Sequence, residues 1–191
     1  LGTLAALHAG GPIDHGAMLF AMLGVSMPRF WIGPLLIMLF SIRLDLLPVS
    51  GREGFASLVL PAFTLGTALA AMLSRMVRTS LLEVIDADFI TAVRAKGAPE
   101  YLVIGKHAMK NALVPVITVL GLQFGALLSG AVVTEMIFSW PGIGGLLIQA
   151  IETRDYRLVQ GCVLVIAFCY VFVNLLTDLC YAAVDPRVRF E

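Results

Sequence analysis

Apolar residues fill four long stretches of this chain, at 17–42, 55–73, 112–134 and 158–177, and polar residues gather between them. A hydrocarbon core ~30 Å thick needs about 20 mostly apolar residues in helical form. Each stretch therefore predicts a membrane span. The first carries Pro28 and Arg29 near its middle, and neither half alone would span, so the pair predicts a kink that faces protein or water. Arg43, Asp45, Pro48, Gly51, Arg52 and Glu53 follow as a polar turn. The second stretch is uncharged, holds Pro61 and Gly66, and is ended by Arg75 and Arg78. The third has Pro115 near its start and Gly121, Gly125 and Gly130 along it, small residues that let helices approach closely in lipid. The fourth ends with Asn174 and Asp178 one turn apart. Between the last two lies FSWPGIGGLLIQAIETRDYRL, turn-rich and amphipathic, with Trp140 suited to an interface. It predicts a re-entrant or surface helix rather than a span.

The longest hydrophilic interruption is the segment 86–111 and its continuation, DADFITAVRAKGAPEYLVIGKHAMKNALVP. Asp88 is placed to cap a short helix running to about Lys96, with Gly97 as its left-handed terminator and Pro99 barring continuation. Asp86 and Asp88 sit at the positive end of that helix, and Arg94 and Lys96 at the negative end. Phe89, Ile90, Val93 and Gly97 follow one face. A short amphipathic helix between two spans has no core of its own, so it needs the lipid surface or a second protein.

Composition turns these spans into a class. The 191 residues are 59% hydrophobic and 14% charged, with mean hydropathy +0.94, whereas soluble domains carry about 25% charged residues. An all-α, polytopic membrane protein is expected. Thirteen basic and thirteen acidic residues cancel overall but not locally. Arg75, Arg78, Arg94, Lys96, Lys106, Lys110, Arg187 and Arg189 fall on one side of the membrane, and Arg43, Arg52, Arg154 and Arg157 on the other. The excess places the connector and the C-terminus in the cytoplasm. Cys162, Cys169 and Cys180 all lie in the last apolar run and read as small core residues. Leu1 to Leu7 is too short, and lacks the basic flank, for a signal peptide.

The chemistry that would make this chain an enzyme is missing from its sequence. There is no GxxxxGK[ST], and PGIGG lacks the lysine a phosphate site needs, so ATP hydrolysis is not expected of it. His8 and His15 flank a loop, and His107 with Met109 and Asn111 reads as the foot of a helix, so neither group predicts a metal site. No cofactor is expected. The connector's basic residues are diluted by Glu83, Asp86, Asp88 and Glu100, which favours a protein partner over nucleic acid.

TAVRAKG resembles the EAA-xxx-G loop of bacterial ATP-binding-cassette importer permeases. AKG followed by HAMKNALVPV is similar to the dipeptide, oligopeptide and nickel branch of that family. The resemblance continues through LPVSG, TVLGLQ, SWPGIG, RDYRLVQG and NLLTDLCYAAVDPR. Thr91 and Val93 stand where the wider family has Glu and Ala. The resemblance implies a single transmembrane permease domain over 1–191, read as a piece lacking an earlier span and an external segment. It also implies separate ATPase subunits, a second homologous permease, an external solute-binding protein and a bacterial inner membrane around them all. The helix face of Asp88, Phe89, Ala92, Val93, Ala95, Lys96 and Gly97 would then sit in a groove on the ATPase. A channel or secondary transporter without an ATPase is the other class these spans allow.

Pro28 and Arg29 are expected on the translocation pathway. An arginine at a helix centre costs about 2.5 to 3.5 kcal/mol on insertion scales, so Arg29 must face water or a partner. Two readings stay open at this level: attraction of an anionic group of the substrate, or a structural arginine that snorkels or pairs with an acid of the partner permease.

Overall fold

The computed structural model of the chain describes residues 1–52 and 54–184, and these residues form helices with no strand among them. In order they are α1 (Gly2–Leu7), α2 (Pro12–Ser26), α3 (Arg29–Leu36), α4 (Ala56–Ile85), α5 (Asp88–Ala95), α6 (Glu100–Leu102), α7 (Met109–Ile137), α8 (Ile143–Glu152) and α9 (Tyr156–Val184). A π-helical turn, Ile37–Arg43, continues α3, and a second, Val103–Ala108, joins α6 to α7. Ala56–Ile85, Glu100–Gly125 and Tyr156–Leu179 are long and apolar enough to cross a membrane, and Pro12–Ser26 with Arg29–Arg43 makes a fourth if the broken pair is one span.

Several elements differ from the sequence expectation for identifiable reasons. The stretch 17–42 is not one kinked helix. It is two helices separated at Met27 and Pro28, with Pro28 extended (φ −63°, ψ 138°) as the N-cap of α3. Proline lacks the N–H that would continue α2 and disfavours a helical residue before it, so the chain stops and restarts there. In α4 the apolar stretch ends near Arg75, but the helix continues to Ile85, because a change from apolar to polar residues does not itself break helical hydrogen bonding. Cys169 is exposed on α9 rather than packed in a core, whereas Cys162 is buried. The tail with Arg187 and Arg189 lies outside the described residues.

The described residues group into two compact units: those of 1–23, 70–122 and 174–184 in one, and those of 24–52, 54–69 and 123–173 in the other. In the first, Leu81, Ile90, Val103 and Ala108 are fully buried and pack with Ala6 and Ala112. Burying each of the larger aliphatic side chains contributes about 1.5–3 kcal/mol. Asp14, also buried, accepts two hydrogen bonds from Arg78, at 2.5 and 2.6 Å, and one from the Gly10 amide at 2.8 Å. This pair fastens the start of α2 to α4. Gly2 lies against the backbone of Ser74, where a Cβ would overlap the carbonyl oxygen.

In the second unit the turn after α7 is the organising feature. Phe138 is buried beside Gly33 of α3, and its carbonyl oxygen accepts from the Gly51 amide at 3.1 Å. The polar loop is thereby tied to the end of α7. Gly51 holds φ +89°, a conformation that glycine alone adopts cheaply.

Candidate coupling surface and the intramembrane arginine

The segment 86–111 folds as a short helix, a turn and a helix. Asp88 is not the cap expected from the sequence: Ala87 occupies the N-cap, no side chain caps it, and Asp88 is the first helical residue. Its carboxylate still lies in the first turn, where the helix dipole favours negative charge. At the other end Lys96 is the C-cap and Gly97 takes φ +79°. The Gly97 amide donates to the Arg94 carbonyl at 2.9 Å, as a left-handed terminator requires. Pro99 then caps the next helical segment from an extended conformation.

The expectation that α5 lacks a core of its own is corrected by its packing. Ile90 is buried and Val93 half-buried against the cluster that holds Leu81, Val103, Ala108 and Ala112. The inner face of α5 is therefore satisfied within this unit. What remains outward is Asp88, Phe89, Ala92, Ala95, Lys96 and Gly97, all exposed, with Phe89 43% accessible. Of the seven residues expected on the docking face, Val93 is the one turned partly inward. Arg94 and Glu100 clasp the turn from outside, with Nε donating to Oε2 at 3.2 Å and NH2 to Oε1 at 2.7 Å. The hydrogen bond to Glu100 holds the Arg94 guanidinium even more firmly charged than usual.

Arg29 opens α3 directly after Pro28 and is half-exposed. Its guanidinium lies against Gly130 of α7, where any added Cβ would overlap NH1. The two sequence features singled out separately, a charge in one span and a glycine in another, are thus in contact.

Glu135 holds the turn between α7 and α8. Its Oε2 accepts from the Gly145 amide at 2.9 Å, the third residue of α8. A Cβ at Gly142 or Gly144 would overlap the carboxylate or Val132. The PGIGG glycines do form an anion cradle at a helix N-terminus, and the anion is the protein's own. The legible signal was glycine spacing; the partner, ten residues upstream on the previous helix, had none.

The family of binding-protein-dependent transport system inner membrane components matches residues 1–190. This chain belongs to that family. As an inner membrane transport component it is 44% identical to the dipeptide transport system permease protein DppB of Escherichia coli strain K12, over all of this chain and 66% of the relative. It is 43% identical to the di/tripeptide transport system permease protein DppB of Pseudomonas aeruginosa strain UCBPP-PA14, again over the whole chain and 65% of the relative. A glutathione transport system permease protein, GsiC of Pectobacterium atrosepticum, is 42% identical over the whole chain and 62% of its own length. The component therefore spans slightly less than two thirds of the length of these relatives.

Proposed function

We propose that this chain is the membrane-spanning body of a permease subunit in an ATP-driven importer of peptides or a related small solute. The solute is handed over by an external binding protein, and the energy comes from separate ATPase subunits on the cytoplasmic side. A second homologous permease completes the pathway. The observation that carries the reading is the outward surface of α5: six exposed residues on a helix whose opposite face is anchored in a packed core. A helix docked that way moves with α4 and α7 rather than alone, which is what a part that passes on a push must do. The relatives, named for dipeptide, di/tripeptide and glutathione transport, support the peptide class.

In this mechanism Asp88, Phe89, Ala92, Ala95, Lys96 and Gly97 seat in a groove of the ATPase, with Val93 behind them as part of the anchor. Closure of the nucleotide domains displaces α5, and the clasped Gly97 turn carries the displacement toward α7. The connector and the C-terminus face the cytoplasm, following the excess of Lys and Arg on that side.

Gly97→Asp tests the reading. No atom lies within 4 Å of a Cβ built at Gly97, so the substitution meets no steric clash, and its cost of about 1 kcal/mol comes from the left-handed backbone. Insertion and assembly of the spans should be intact, while transport driven by ATP hydrolysis falls and an affinity-tagged subunit retains less ATPase on purification. Wild-type transport in that variant would remove α5 from the coupling path. A wild-type subunit that transports with no ATPase bound would instead identify a channel or secondary transporter.

A further inference from the structure

The loop before α4 and the turn after α7 meet around a small open cavity that the coupling path does not use. Arg52, Gly54, Phe55, Leu58 and Trp140 line it, and its volume is about 290 Å³. Arg52 and Trp140 are far apart in the chain. They are brought together where the Gly51 amide donates to the Phe138 carbonyl at 3.1 Å. Gly54 takes φ +82°, with no atom within 4 Å of a built Cβ, so that wall is bare backbone. The Trp140 amide donates to the Glu135 carbonyl at 2.8 Å, which holds the residue against the end of α7.

The cavity lies at a defined depth. Phe55 directly precedes α4, a helix long and apolar enough to cross a membrane, so the site falls where hydrocarbon gives way to headgroups. Phe55 is 91% exposed, and Leu46, Val49 and Leu58 are exposed as well. Such a group of apolar side chains is costly against water and favourable against acyl chains. Tryptophan is enriched at the same level. Arg52 is exposed, with no ion pair or side-chain hydrogen bond among the described residues.

We propose that this cavity binds an anionic phospholipid, with the phosphate on Arg52 and an acyl chain along Phe55 and Leu58. One cation, an indole and two apolar side chains around a single space match a molecule that carries an anion and a hydrocarbon chain together. The guanidinium fork suits phosphate oxygens. A soluble protein could offer Arg52 an acid, but it would have to enter the hydrocarbon to cover Leu58. The proposal rests on α4 as a span and is independent of the importer reading.

The test uses full-length permease in its assembled complex, reconstituted in vesicles that mix phosphatidylglycerol with phosphatidylcholine. One of the two lipids carries bromine on its acyl chains, which quenches indole fluorescence on contact. The Trp140 signal is taken as the difference between each protein and its Trp140→Phe counterpart. Phosphatidylglycerol should occupy the site about fivefold more strongly than phosphatidylcholine, the worth of one arginine at an anionic surface. Arg52→Gln should bring that ratio to about one, and Arg52→Lys should keep most of it. Unchanged Trp140 emission in phosphatidylcholine alone checks that the variants fold alike. Equal quenching by both lipids in the wild type, or a preference that survives Arg52→Gln, overturns the proposal. Absence of quenching by either lipid also overturns it. If the external binding protein then attaches more weakly to Arg52→Gln, the cavity is a protein-docking site instead.

Discussion

Removing the Glu135 carboxylate should loosen the start of α8 by an amount the geometry sets. Glu135 supplies one charge-assisted hydrogen bond to the Gly145 amide, 2.9 Å long, and places negative charge at a helix N-terminus. Hydrogen bonds to charged groups contribute about 1.5–3 kcal/mol, and the dipole interaction adds roughly 0.3–1 kcal/mol. Glu135→Ala loses both and should destabilise the α8 N-terminus by about 2–3 kcal/mol. Glu135→Gln keeps a neutral acceptor worth about 0.5–1.5 kcal/mol, so it should cost roughly half as much. Amide hydrogen exchange on the purified protein in detergent reads this directly, since each 1.4 kcal/mol is about tenfold in the opening equilibrium. The Gly145 amide should exchange some 30- to 100-fold faster in Glu135→Ala and several-fold faster in Glu135→Gln. Gly144→Ala, whose Cβ would meet Val132 and the Glu135 carboxylate, should resemble the alanine variant, at about 1–3 kcal/mol for overpacking. Unchanged Gly145 exchange in Glu135→Ala would refute the capping role.

Thiol labels at Gly51 should be reached from outside the membrane and labels at Pro99 only from the cytoplasm; the reverse pattern would invert the proposed orientation. Asp14→Ala strands the Arg78 guanidinium and should lower the melting temperature of the purified protein. Pairing it with Arg78→Met should recover part of that loss, and a double variant no more stable than Asp14→Ala would argue against a coupled pair. At Gly121, where a Cβ would run into Thr177, alanine should destabilise. At Gly66, with no atom within 4 Å of a built Cβ, alanine should be neutral or stabilise by about 0.5–1 kcal/mol. Equal effects at the two glycines would show that packing does not separate them.

That helices run through 55–73, 112–134 and 158–177 was largely legible, because a long uncharged run allows few other structures. The left-handed Gly97 was legible because the Lys96–Gly97–Ala98–Pro99 order leaves a helix no way to continue. Helix interiors that change their spacing were not legible. Val103, Ala108 and Ala112 are all buried in one cluster, at separations of five and then four, and the five-residue step is set by the π turn Val103–Ala108. A 3.6-residue period cannot register both. The Asp14–Arg78 and Glu135–Gly145 contacts were missed for a different reason. Each joins groups on different helices, and sequence spacing carries no signal for partners that only tertiary packing brings together. Arg29 drew attention as a lone charge, while its seat on Gly130 lay a hundred residues away in the chain.

The Arg94–Glu100 clasp has a mechanical consequence. A turn closed by one glycine alone swivels about several axes, like a ball joint. Two parallel hydrogen bonds across it restrict the swivel to a hinge with a single axis. Both partners are exposed to solvent, and exposed ion pairs are weakened by salt. The compliance of this joint is therefore a function of ionic strength: stiff in dilute buffer, slack in concentrated salt, with no change in the helices on either side.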